Sequence, residues 1–146
     1  MIEVEHEIFV GIYYLHKADH RNGSPKKSQW IITKDEERSS FKRAFNSKWI
    51  VLSHSESYWG LHFDEHDQVA NLGISKSSGP DRFAIFIAKF VDGNKNDKWH
   101  GYPANHVMNN QDIPPEEILL KWARAEYIRK QLIRKLLGGM KCKLSK

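Results

Sequence analysis

Cysteine is almost absent: Cys142 is the only one in 146 residues. A lone thiol closes no internal disulfide, and without a CxxC pair the chain lacks the minimum for a zinc-cysteine site or dithiol redox exchange. Cys142 falls between Lys141 and Lys143 in a tail expected to fray. Neighbouring lysines favour a thiolate, but an exposed tail supplies no oriented base or oxyanion donor, so a bystander thiol is expected. Long apolar runs are missing as well. The longest, such as Phe83 to Ala88, fall far below the roughly 18–20 residues of a membrane span. The opening MIEVEHEIFV is acidic before it is apolar, the reverse of a secretory leader. The expectation is a cytoplasmic protein with no membrane partner. GxGxxG, GxxxxGK[ST], GxSxG and HExxH are all lacking, so dinucleotide, P-loop, hydrolase-elbow and metalloprotease chemistries have no foothold and no cofactor is expected. No internal repeat or low-complexity tract interrupts the chain.

What is present is an ordinary globular composition, 40% hydrophobic and 28% charged. A chain of this length buries roughly 68–70% of its unfolded surface, enough to fold alone. A single domain over 1–146 is expected, with an α+β body at 1–112 and a basic helical segment at 113–146. Charge separates the two parts. The segment from Ile113 to Lys146 holds nine basic residues against three acidic ones, a net +6 within a total of +5. The body is therefore about neutral, and attraction for phosphate or acidic surfaces belongs to the C-terminal segment.

Hydrophobic periodicity gives the elements. IEVEHEIFVGIYY places Ile2, Val4, His6, Ile8, Val10 and Ile12 on one face at period two, which reads as one strand. HRNGSPKKS is a turn region, and Trp30 to Thr33 a short β-segment. Asp35 is placed to cap a short helix over 35–46, with Phe41, Ala44 and Phe45 inward. WIVLS, YWGLHF and QVANLGIS read as short strands of a small antiparallel sheet. RFAIFIAKFV is apolar on both faces and needs cover on both sides. DGNKNDK is a solvated loop, and KWHGYPANHVMNNQDIPP a long irregular stretch of the kind compact domains keep for a use. Pro114-Pro115 and Glu116-Glu117 then open a helix with Ile118, Trp122, Ala125, Ile128, Leu132 and Leu136 at helical spacing, stopped by Gly138-Gly139. One helix, or two broken near Glu126, fits this pattern. The fold class is α+β: a small, mainly antiparallel sheet, one short helix, and a basic C-terminal helix or helix pair.

Three places carry candidate chemistry. In KWHGYPANH, Trp99 and Tyr102 offer apolar bodies with polar tips, Gly101 permits tight backbone and Pro103 favours extended geometry before it. This stretch either anchors a loop on the core or serves a ligand directly. Histidine titrates nearest neutrality, so His100 and His106 are candidates for acid and base in metal-independent phosphodiester cleavage, with Tyr102 or a lysine as phosphate stabiliser. The second place is SHSESYWGLHFDEHDQ, where His54, His62 and His66 accompany Asp64, Glu65 and Asp67. The residue types suit a transition metal, but the spacing matches no metal motif, and a solvated polar turn is expected with no metal bound. The third is the face formed by Arg129, Lys130, Arg134 and Lys135, opposite Ile128, Leu132 and Leu136. It suits phosphates, and a break at Ala125-Glu126 would give a helix-turn-helix sending 128–137 into a major groove.

The leading expectation is a binding module that contacts nucleic acid, RNA included, or an acidic protein through this basic face, with Trp99 contributing nearby. A toxin-like, histidine-dependent ribonuclease stands second, and an inhibitor or immunity-type partner protein third.

Overall fold

The computed structural model describes residues 4–52, 55–76 and 82–144 and is α+β. The N-terminal period-two pattern does not form one strand. Gly11, in the left-handed region at φ +79°, lets the chain reverse at Val10-Gly11, so the pattern splits into a hairpin of β1 (Glu5–Phe9) and β2 (Ile12–Leu15). The short β3 (Gln29–Trp30) follows a polar turn region.

Helix α1 (Lys34–Asn46) begins slightly earlier than its sequence suggests. Its N-cap is Thr33, not Asp35. Thr33 is extended at φ −69°, ψ 164°, and its hydroxyl accepts from the Glu36 amide at 3.1 Å while the Glu36 carboxylate accepts from the Thr33 amide at 2.9 Å. This reciprocal pair leaves Asp35 and Glu37 to place negative charge in the first turn, where the helix dipole favours it. Phe41 and Ala44 are buried and Phe45 half-buried, as the spacing predicts.

The next strands are β4 (Ile50–Val51), β5 (Ser55–Phe63), β6 (Val69–Ala70), β7 (Gly73–Ile74), β8 (Ala84–Ile85), β9 (Ile87–Val91) and β10 (Lys98–Pro103). The larger sheet runs β1-β2-β10-β9-β5-β4, with β6 added to β5; the smaller runs β3-β7-β8. Every pairing is antiparallel except β2 with β10, where Lys98 and Trp99 lie beside Tyr13 and Tyr14. RFAIFIAKFV is two strands rather than one: the chain leaves the small sheet and joins the large one at Phe86, which explains why residues 85–90 are buried throughout.

WHGYP is likewise a regular strand, not irregular chain. Gly101 makes this fit, because a Cβ there would stand 2.3 Å from Phe90 Cδ1, and one on Gly60 across the sheet would stand 2.7 Å from Phe90 Cε2. The Phe90 ring therefore lies across two glycines on the strands flanking its own. Phe41 of α1 closes this side of the sheet, with ring centroids 5.3 Å from Phe90 and 5.8 Å from Trp99.

Two C-terminal helices are present, α2 (Glu116–Arg124) and α3 (Leu132–Leu137). The break falls at Glu126, whose φ of +64° is incompatible with a continuing helix. Ile118, Leu119 and Trp122 of α2 and Leu132, Ile133 and Leu136 of α3 join the same hydrophobic cluster as the sheet and α1. Trp49 links the two ends, edge-on to Trp122 at 5.6 Å and to Tyr127 at 6.0 Å.

Candidate nucleic-acid interface

The interface starts from how α3 is held. Ile128, Leu132, Ile133 and Leu136 are buried, so the intervening Arg129, Lys130, Arg134 and Lys135 face outward, and all four are exposed. Arg21, Lys27, Arg38, Arg43, Lys95 and Lys98 are among the cations held in ion pairs, whereas among the described residues none of these four takes part in one. Their charge is thus presented on a fixed backbone without a neutralising carboxylate. Of the two alternatives the sequence left open, the one with a break near Glu126 is observed, but α3 has only six residues, about 9 Å of helix. A stub of that length with half its side chains in the core offers a basic face rather than a rod for a major groove.

KWHGYPANH is built differently. Along β10, Trp99, Gly101 and Pro103 are buried and His100 and Tyr102 half-buried, the alternation of a sheet strand. Trp99 is 7% exposed and packs 5.0 Å from Tyr58 and 5.8 Å from Phe41, so its indole belongs to the core and not to the basic face. Tyr102 donates its hydroxyl to Asp112 at 2.7 Å and stacks on His20 at 5.4 Å. Asp112 is itself buried and also accepts from the Asn105 amide at 3.0 Å. Burial, helped by the Asp112 charge and hydrogen bond, pushes the Tyr102 phenol far above its usual range. His106 Nε2 lies 2.7 Å from the Met140 carbonyl, an acceptor only, so the proton is on Nε2 and Nδ1 is the unprotonated nitrogen of the neutral ring. Burial lowers the His106 pKa. Tyr102 thus ties β10 to residue 112, and His106, through Nε2, ties the segment after β10 to the C-terminal tail.

That second tie shapes a cavity of about 350 Å³, lined by Phe83, Phe86, His106, Lys141, Cys142 and Lys143. The tail does not fray here. Leu144 is 1% exposed and Cys142 half-buried. Lys141 Nζ stands 4.8 Å from the Phe83 ring centroid, pairing a cation with an aromatic wall. Burial pushes the Cys142 thiol up, with the charge of Lys135 opposing it, so the neutral thiol dominates.

The His-carboxylate turn assembles no comparable site. His62 Nε2 is 3.6 Å from Glu36 Oε2, and His66 Nε2 3.7 Å from Glu65 Oε1 on the surface. Asp64 accepts from the amides of His66 and Gln68 at 2.9 and 3.0 Å, which closes the turn and holds its carboxyl below the usual range. Among the described residues no three His, Cys, Asp or Glu side chains converge as metal ligands. His54 lies outside the described residues.

Two polar constellations escape the sequence patterns. Glu37 is fully buried on α1. It receives the Tyr14 hydroxyl, and Arg21 reaches one of its oxygens through Nε at 3.0 Å and Nη2 at 2.8 Å. His16 completes the cluster: Arg38 Nη1 donates to His16 Nε2 at 2.7 Å, leaving the proton on Nδ1, 3.1 Å from Glu37 Oε1. Lys89, buried on β9, donates to the Gln111 carbonyl at 2.6 Å and lies 5.2 Å from the Trp59 ring, its pKa lowered by burial. A lysine inside an apolar strand was a visible signal for Lys89. Glu37 carried none, since nothing in KDEERSS separates it from the other charged residues of that run, none of which is buried.

Among the described residues no helix is long and apolar enough to cross a membrane. No family model, curated protein or solved structure matches this chain.

Proposed function

We propose that the protein is a nucleic-acid-binding module whose contact surface is the basic face of Arg129, Lys130, Arg134 and Lys135. The observation that carries this reading is the set of four exposed cations, none ion-paired among the described residues, on a backbone fixed by Ile128, Leu132, Ile133 and Leu136. Fixed, unneutralised cations bind phosphates by releasing counterions, so affinity falls with salt. Nucleic acid is favoured over an acidic protein because Lys141 and Lys143 continue the charge beside an aromatic wall, and single strands are held by such a combination.

The test is fluorescence anisotropy of labelled single-stranded RNA across a salt series in EDTA, with cleavage followed on gels. Four phosphate contacts predict a log–log salt slope of roughly −2.8 for a single strand. Changing the four residues together to glutamine removes that slope and most of the affinity; unchanged binding by the variant overturns the reading. Competition by polyglutamate as effective as by unlabelled RNA would redirect the face to an acidic protein. EDTA-resistant cleavage lost in a His100→Ala, His106→Ala double variant would replace the binding module by a ribonuclease.

A further inference from the structure

We propose that the cavity bounded by Phe83, Phe86, His106, Lys141 and Lys143 is a nucleotide site that takes one nucleoside monophosphate unit, its phosphate on the lysines and its base against the phenylalanine wall. This rests on the preceding reading only in placing the site beside a strand-binding face; the cavity has its own chemistry. Its volume of about 350 Å³ lies at the lower end of the roughly 300–1,000 Å³ of small-molecule sites, suited to one nucleotide and not to a longer segment.

The lining is divided by chemistry. Lys141 and Lys143 are exposed in the tail, whereas Phe83 is half-buried and Phe86 buried, both flanking the short β8. A phosphate is drawn to the open, cationic side, and a base to the apolar side, where ring stacking is tolerant of base identity. Lys141 already sits over Phe83, so cation and ring occupy one locus before any ligand arrives.

The wall that carries the lysines is fixed as well. His106 donates to the Met140 carbonyl, the close approach of Gly139 to the His106 carbonyl leaves only 3.3 Å for an added Cβ, and Leu144 is buried just beyond Lys143. The tail is pinned on both sides of Lys141 and Lys143, which lowers the ordering cost of binding. His106 adds selectivity. Its neutral ring keeps Nδ1 as an acceptor, a partner for the exocyclic amines of adenine or cytosine.

The experiment is calorimetric titration of the full chain with AMP, adenosine and inorganic phosphate. AMP is expected to bind at least tenfold more tightly than either part alone. Lys141→Gln with Lys143→Gln, both on exposed side chains, should weaken AMP about tenfold and leave adenosine unchanged; Phe83→Leu should weaken AMP and adenosine alike, by about tenfold for one lost stack. Phosphate binding as tightly as AMP, or no AMP binding, overturns the site. The strand-binding reading fails separately: the four-glutamine variant would then keep RNA affinity, while AMP titration stays as in the parent chain. A tenfold preference for 5′-phosphorylated over 5′-hydroxyl RNA identifies a strand end as the source of the nucleotide. Equal binding of the two RNAs together with retained AMP affinity identifies free nucleotide; both results support the site.

Discussion

Glu37 shows how single residues hold the body of this protein together. A fully buried carboxylate is tolerated only when its charge is matched and its oxygens are occupied, and here Arg21 from the turn region and Tyr14 from β2 do both. The same carboxylate, after burial itself, pushes the Tyr14 phenol well above its usual range. Three segments distant in sequence meet at that one side chain. Trp99 plays the corresponding part on the apolar side. Enclosed by Tyr58 and Phe41 and 7% exposed, it predicts that Trp99→Ala lowers unfolding free energy by roughly 3–5 kcal/mol in a denaturant titration. A loss under about 1 kcal/mol would instead mark it as a surface residue. The sequence identified Trp99 as a large side chain needing a home but not which one. A tryptophan serves a core and a binding platform equally well, and only the neighbours supplied by α1 and β5 distinguish them.

At the scale of elements, local chemistry was legible where it acts between near neighbours. The inward set of α1 and the glycine stop after α3 were visible as spacing alone. The α1 cap was not, because Thr33 and Asp35 are both good cap residues, and the choice fell to Thr33 through the Glu36 return bond. Thr33→Ala is therefore expected to cost about 1 kcal/mol in thermal or chemical unfolding, whereas Asp35→Ala should cost less. An Asp35 effect equal to or larger than that of Thr33 would contradict the observed cap. WHGYP failed as a sequence reading for a different reason. Its strand identity comes from β2 and β9 on either side and from the Phe90 ring lying over Gly101, none of which is local. The break in the C-terminal helices is intermediate: the sequence permits it, and the buried positions on both sides of Glu126 require it.

For the whole molecule, charge distribution and proton binding set the responses to salt and pH. His20 and His106 both have pKa values lowered chiefly by burial, and His20 donates through Nδ1 to the Ser28 carbonyl at 2.8 Å. Below the unfolded value of about 6.5 the unfolded chain binds more protons than the folded one. Stability from these two rings is thus complete above that pH and is lost as pH falls from there through their folded pKa values. Thermal midpoints should drop between pH 7 and pH 5.5, and a His20→Gln, His106→Gln double variant should flatten that drop. An equal or steeper drop in the double variant would exclude these rings as the cause. The lowered carboxyls of Asp64 and Glu36, each held by backbone hydrogen bonds, withdraw stability in the same direction at more acidic pH.

The α+β class, the inward set of α1 and the concentration of positive charge after Ile113 were determined by the sequence alone, because they depend on residue type and short-range period. Tertiary structure decided the rest. It made WHGYP a central strand, split the N-terminal pattern at Gly11, buried Glu37 and Lys89, and folded the lysine-bearing tail against Phe83 and His106. Each of these outcomes depends on groups far apart along the chain, and their meeting is fixed by the packing of the whole core rather than by any local preference.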